Sequence, residues 1–136
     1  MSTLLLNTLT GKTSAGSIVV TGEGGSTTTN MQQGLDKAWA NIAQASSAPS
    51  LADSLNCASI ADTTAGEATV TLTNNMGNSN YVCVANQQDF AVEHQSPSLS
   101  TSTFAIRFIA DSSGARADIG DGTNAFSTVI GDLAEW

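Results

Sequence analysis

His94 is the only histidine in this 136-residue chain, and most of the catalytic chemistry the sequence could support turns on it. A hydrolytic Ser or Thr needs a base within hydrogen-bond reach. The chain has 17 Ser and 17 Thr but no G-x-S-x-G elbow, and His94 falls in the long, weakly patterned stretch 87–102. It reads as an exposed loop side chain among serines. The carboxylate pairs Asp118 with Asp121 and Asp89 with Glu93 would hydrolyse glycosides only if held across a cleft, and they read as solvating charges. Residues 118–124 are rich in oxygen donors, yet the twelfth position from Asp118 is Val129, where a calcium-binding EF-hand needs Glu. Gly11-Lys12-Thr13 has the ending of a phosphate loop without its upstream glycine. Cys57, Cys83 and His94, spaced 26 and 11 residues apart, match no zinc pattern. The two cysteines read as small apolar strand residues. No catalytic, metal-binding or cofactor-binding residue is expected, and no cofactor.

Composition narrows the partners. Twelve acidic against four basic residues give a net charge of −8, which repels a phosphate backbone, so nucleic-acid binding is not expected. The apolar runs Leu4-Leu5-Leu6 and Ile18-Val19-Val20 are far shorter than the roughly 20 residues of a membrane helix, so no membrane insertion is expected. The N-terminus lacks the basic region and apolar length of a secretory signal, so a reducing place of synthesis and unpaired thiols are expected. Only 12% of residues are charged, and Ser, Thr, Asn and Gly solvate the chain instead. The hydrophobic 40% includes 19 alanines, which implies a thin core.

The elements that would position these residues are short strands. Over 29–44, Met31, Leu35, Trp39 and Ile42 recur at helical spacing, but Gly34 interrupts them and Ala38, Ala40 and Ile42 alternate with Lys37, Trp39 and Asn41, as in a strand. The pattern predicts a helical turn to about Asp36 and then a strand through Ala43. Further strands are expected over 54–60 with a bulge, 68–73, 81–85 as a central strand, 103–109 and 126–130. Turn clusters fall at 62–66, 74–80, 111–114 and 120–124, and a brief strand over Phe90-Ala91-Val92 is possible. Tyr81, Phe104, Phe108 and Phe126 fall in these patterns as expected core aromatics. Short strands with a turn about every ten residues predict an all-β fold, an antiparallel, jelly-roll-like β-sandwich. It is preceded by an extended N-terminal arm, with the division at residues 1–26 and 27–136. The arm's two apolar runs cannot enclose a core alone, so it is expected to anchor the chain or intertwine with sister chains. Its contact residues are expected to be Leu4, Leu5, Leu6, Ile18, Val19 and Val20, joined by Met31, Leu35 and Trp39.

Several stretches, taken in order, resemble a family of small bacteriophage virion proteins and fibre-type modules, including marine phage versions. Residues 28–42 are similar to T-N-L-Q-Q-G-L-A-K-A-W-V-N-F, and 53–62 to D-S-F-N-V-S-S-I-T-D. A T-V-x-L strand at 69–72, an M-x-x-A-N-Y-A/V element at 76–82 and a terminal V-F-G-D at 129–132 follow. Thr10 to Ile18 resembles the leader of the marine versions. Cys57 stands where Val is common, the Ala- and Ser-rich stretch 43–52 replaces a shorter N-G-T-G-like turn, and residues 133–136 extend past the common end. The resemblance implies a structural component of a phage virion, assembled in the host cytoplasm, with homotrimeric assembly and no catalytic residues. Its neighbours would be major capsid or tail proteins of the same particle.

Two functions follow from that resemblance. The chain is either a capsid-decoration or head-fibre protein, or a tail-fibre adhesin that binds a host surface glycan or receptor. For recognition of that kind, Phe90, His94 and Trp136 are the surface candidates, and Trp136 could equally pack on a neighbouring subunit. An enzyme is not expected.

Overall fold

A computed structural model of the chain describes residues 3–11, 18–21, 25, 28–45, 48–87, 99–108 and 124–131. The chain divides into two compact units, Met1–Leu35 and Asp36–Trp136. The arm expected over residues 1–26 lies within the first.

In the first unit, β1 (Val19–Thr21) and β2 (Thr28–Asn30) pair antiparallel from Val19↔Asn30 to Thr21↔Thr28. A one-turn helix, α1 (Met31–Gly34), follows directly, and the Met31 amide donates to the Ile18 carbonyl at 2.9 Å. The helix ends at Gly34, the residue that breaks the helical period in the sequence, because glycine is a poor helix former. Of the two apolar runs expected to order only against a neighbour, the second thus pairs with the polar Thr28–Asn30 through backbone hydrogen bonds that need no core, and Leu4-Leu5-Leu6 lies outside any strand.

The second unit is an all-β sandwich of two antiparallel sheets. Its strands are β3 (Asp36–Ala45), β4 (Ala48–Leu55), β5 (Cys57–Thr64), β6 (Glu67–Leu72), β7 (Val82–Gln87), β8 (Thr103–Arg107) and β9 (Asn124–Ile130). One sheet has the order β4-β3-β9-β7, the other β5-β6-β8. Because side chains alternate along a strand, each sheet presents one face inward. The four-stranded sheet contributes mostly small residues there: Ala38, Ala40, Ala85, Ala125, Ser127, Ile42 and Val129. The three-stranded sheet contributes large ones, with Val70, Leu72, Phe104 and Ile106 joined by Phe108 just beyond β8. Small residues on one face leave room for the large ones on the other.

Several expected elements are corrected. The stretch 43–52, read from the sequence as a long turn, holds the end of β3 and the first half of β4, paired down to Ala45↔Ala48. The expected strand over 54–60 is two strands in different sheets. The expected turn over 62–66 shrinks to Ala65-Gly66, since β5 and β6 pair up to Thr64↔Glu67 with Gly66 at φ 72°. Segment 81–85 forms an edge strand, not a central one, and the central place beside β3 goes to β9. Phe126 lies on the outer face and is 48% exposed, while Ala125 and Ser127 beside it are buried. The expected turns at 111–114 and 120–124 and the brief strand near residue 91 lie outside the described residues, except that Asn124 begins β9.

The chain crosses from one sheet to the other at Asn56, the only described non-glycine residue with positive φ, at 57°. Asn tolerates this left-handed conformation better than most side chains. Here its amide also binds across the corner. Nδ2 donates to the Lys37 carbonyl at 2.9 Å and to the Asn74 carbonyl at 3.1 Å, and Oδ1 accepts from the Asn74 amide at 2.7 Å. One side chain thus ties β3 to the turn that follows β6. Replacing it separates its two roles. Asn56→Gly keeps the backbone conformation but loses these hydrogen bonds, and is expected to cost about 1–3 kcal/mol in urea unfolding. Asn56→Ala is expected to cost about 1 kcal/mol more, through the left-handed φ.

Beside that corner, Gly131 follows β9 so closely that an added Cβ would lie 2.5 Å from Tyr81 Cβ and 3.3 Å from its Cα. The backbone atom cannot move aside without shifting the start of β7. Gly131→Ala is therefore expected to destabilise the sandwich by about 1–3 kcal/mol, read as a lower thermal midpoint.

Candidate interaction surface

The outer faces of the two sheets have opposite chemistry. On the three-stranded sheet, Thr69, Thr71 and Thr103 face outward with a cross-strand ion pair, Arg107 Nε to Glu67 Oε2 at 2.9 Å. Thr63 and Thr69 share a hydrogen bond at 2.8 Å between their hydroxyls. These groups make the face polar, although the ion pair's side chains are only 19% and 13% exposed and Ala105 on the same face is buried.

On the four-stranded sheet six large apolar side chains stand outward among a few polar ones. Directly opposed residues share a face, so the register places Leu55, Trp39, Thr128 and Val84 in one row across the four strands. Asp53, Asn41, Phe126 and Asn86 form the next row, and Ile130 beside Val82 begins a third. Val82 is 59% exposed, and Val84, Phe126, Leu55 and Ile130 lie between 42% and 48%. Trp39 is half-buried at the centre. Among the described residues of these strands the charged ones are Asp53 on the edge strand β4, Asp36 at the start of β3 and the buried Lys37 beside it. Near the centre, Asn41 Oδ1 and Thr128 Oγ1 reach neither solvent nor a hydrogen-bond donor.

The residues expected to make anchoring contacts fall on both units. In the first, Leu4 (80% exposed), Leu5 (88%) and Leu6 lie outside any helix or strand, and Val19 and Val20 are exposed on β1. Ile18 and Met31 are half-buried beside the hairpin, and Leu35 is exposed. Trp39 alone belongs to the second unit, on the apolar face. Phe90, His94 and Trp136, the candidates for surface recognition, lie outside the described residues. The sequence reading overlooked Leu55, Val82, Val84, Phe126 and Ile130 as a surface. The only available signal was alternation with the wrong phase: in 124–130, Ala and Ser occupy the positions opposite in phase to Phe and Ile.

The titrating groups of the described residues serve the fold. Tyr81 is buried, and its hydroxyl lies 2.9 Å from the carbonyl oxygens of both Ser100 and Thr103, which it serves as a shared donor. Burial pushes its phenol up to about 12, and the neighbouring Cys83 adds to the shift. Burial and the nearby Cys57 push the Cys83 thiol up to about 11. Cys57 and Cys83 are both free, half-buried thiols, and the Cys57 Sγ lies 3.3 Å from the Leu55 carbonyl. Among the described residues no group of three or more His, Cys, Asp or Glu could hold a metal ion. Among the described residues no helix is long and apolar enough to cross a membrane. No family model, curated protein or solved structure matches the chain.

Both raised values favour the protonated form in the folded state. Stability contributed by Cys83 is therefore full below pH 9 and lost as pH rises toward 11, and that of Tyr81 is lost between pH 10 and about 12. Tyr81 is the sole tyrosine, so tyrosinate absorbance reports it directly. Alkaline titration is expected to show ionisation coupled to unfolding well above pH 10, and Cys83→Ala to flatten the stability loss that begins near pH 9.

Proposed function

We propose that this chain is a structural component of a bacteriophage virion, a capsid-decoration or head-fibre protein without catalytic activity. The observation that carries the reading is the two-part build. A small unit over residues 1–35 holds Leu4 and Leu5 almost fully in water. It precedes a sandwich with its own core. Leucines exposed at that level gain burial when they pack on another chain, which is the behaviour of an attachment arm. The ordered series of motifs that resembles phage virion proteins supports the same role. In this reading the arm engages major capsid protein, or its sisters in a homotrimer, and the sandwich is displayed.

Deleting residues 1–35 is expected to leave a folded sandwich, judged by circular dichroism, that no longer joins particles. Incorporation of the truncated protein at the wild-type level would remove the arm from the proposal. Gold labelling of intact particles locates the protein directly. Label on the head is the expected result, and label confined to the tail would assign the adhesin function instead.

A further inference from the structure

We propose that the outer face of the four-stranded sheet is a self-association surface, on which a second copy of this chain packs. The inference goes beyond the virion reading and needs no particle.

Trp39, Leu55, Val82, Val84, Phe126 and Ile130 are brought together from four strands. Their exposures leave roughly 400–500 Å² of apolar surface in water, the scale at which patches on monomers mark interaction sites. A standard interface buries about 800 Å² per partner, a little over half of it apolar. The exposed Asn86 and Asp53 extend this apolar area with polar surface. Trp39 and Phe126 stand on the sheet's two interior strands, with Leu55, Val82 and Val84 on the edge strands and Asp53 at the rim, and aromatic residues are enriched in interfaces.

Charge selects the occupant. The chain carries −8, so copies repel wherever their acidic groups meet. The centre of this face is the place where two copies can touch without opposing charges. A partner drawn in by electrostatics would be basic and would need carboxylates at the centre, where the face has none. The outward threonines of the other sheet show that the fold does not require its outward strand positions to be large and apolar. Valine, leucine, phenylalanine and isoleucine on one outer face alone therefore mark the face that is covered.

Sedimentation equilibrium of the full chain tests this, with the association constant as the readout. Wild-type protein is expected to associate at micromolar concentrations. Association is expected to tighten as salt rises from about 0.05 to about 0.5 M, because screening weakens repulsion between like-charged copies. Val82→Glu and Val84→Glu, both at well-exposed positions, are expected to weaken it at least tenfold with an unchanged thermal midpoint. Phe126→Thr, which adds no charge and suits a strand, is expected to weaken it as well. Ala61→Glu, exposed on the opposite sheet, adds the same charge and is expected to alter it less than twofold. A monomeric wild-type mass at all concentrations would overturn the inference. So would an association constant that is unchanged in the face variants, whatever contacts the first unit makes, or one that weakens with salt.

Discussion

The packing of an alanine-lined sheet against a phenylalanine-lined one constrains everything else in the sandwich. Ala38, Ala40, Ala85 and Ala125 leave room that Phe104, Ile106 and Phe108 occupy. Stacked sheets stand about 10 Å apart, and neither set of side chains fills that gap alone. A core this dependent on complementarity tolerates little drift between its layers. The links at its margin prevent that drift: Asn56 at the crossing between sheets, and the Tyr81 hydroxyl on the carbonyls that precede and begin β8. Gly131 has a matching role, since only a residue without Cβ lets β9 end against Tyr81.

The same alternation that fills the core divides the surface. Each strand has two faces, so an inner face built of alanine and serine leaves phenylalanine, valine and isoleucine of the same strands pointing away from it. In β9, Ala125, Ser127 and Val129 are buried while Phe126 and Ile130 are exposed. The bulk missing from one side of the sheet stands on its other side. The three-stranded sheet has the reverse distribution, large residues inward and threonines outward. The thin core and the apolar outer face are thus two consequences of a single choice of phase. That choice places the chain's unused apolar surface where another chain can reach it.

Alternation and turn composition carried the fold class because both are local. Threonines alternating with Val70 and Leu72, and the break at Gly34, can be read without knowing what they pack against. The corner at Asn56 was not legible, since Leu55, Cys57 and Ile60 give the same irregular pattern for a bulge as for a crossing between sheets. The fate of 43–52 was equally hidden: alanine and serine suit a turn as well as an edge strand, and the pairing with β3 decided it.

By itself, the sequence determined an all-β chain, a helical turn after Asn30, expected to reach about Asp36 and ended by the structure at Gly34, and an N-terminal segment whose leucines have nothing local to cover them. Side-chain period and glycine's cost to a helix act over a few residues and leave a direct trace. Only the tertiary structure decided which phase of each strand faces inward. A period of two has two faces, and hydrophobicity alone assigned Phe126 to the wrong one. The partner sheet supplies the bulky residues, so the alanines turn inward to receive them and the larger side chains are left outside.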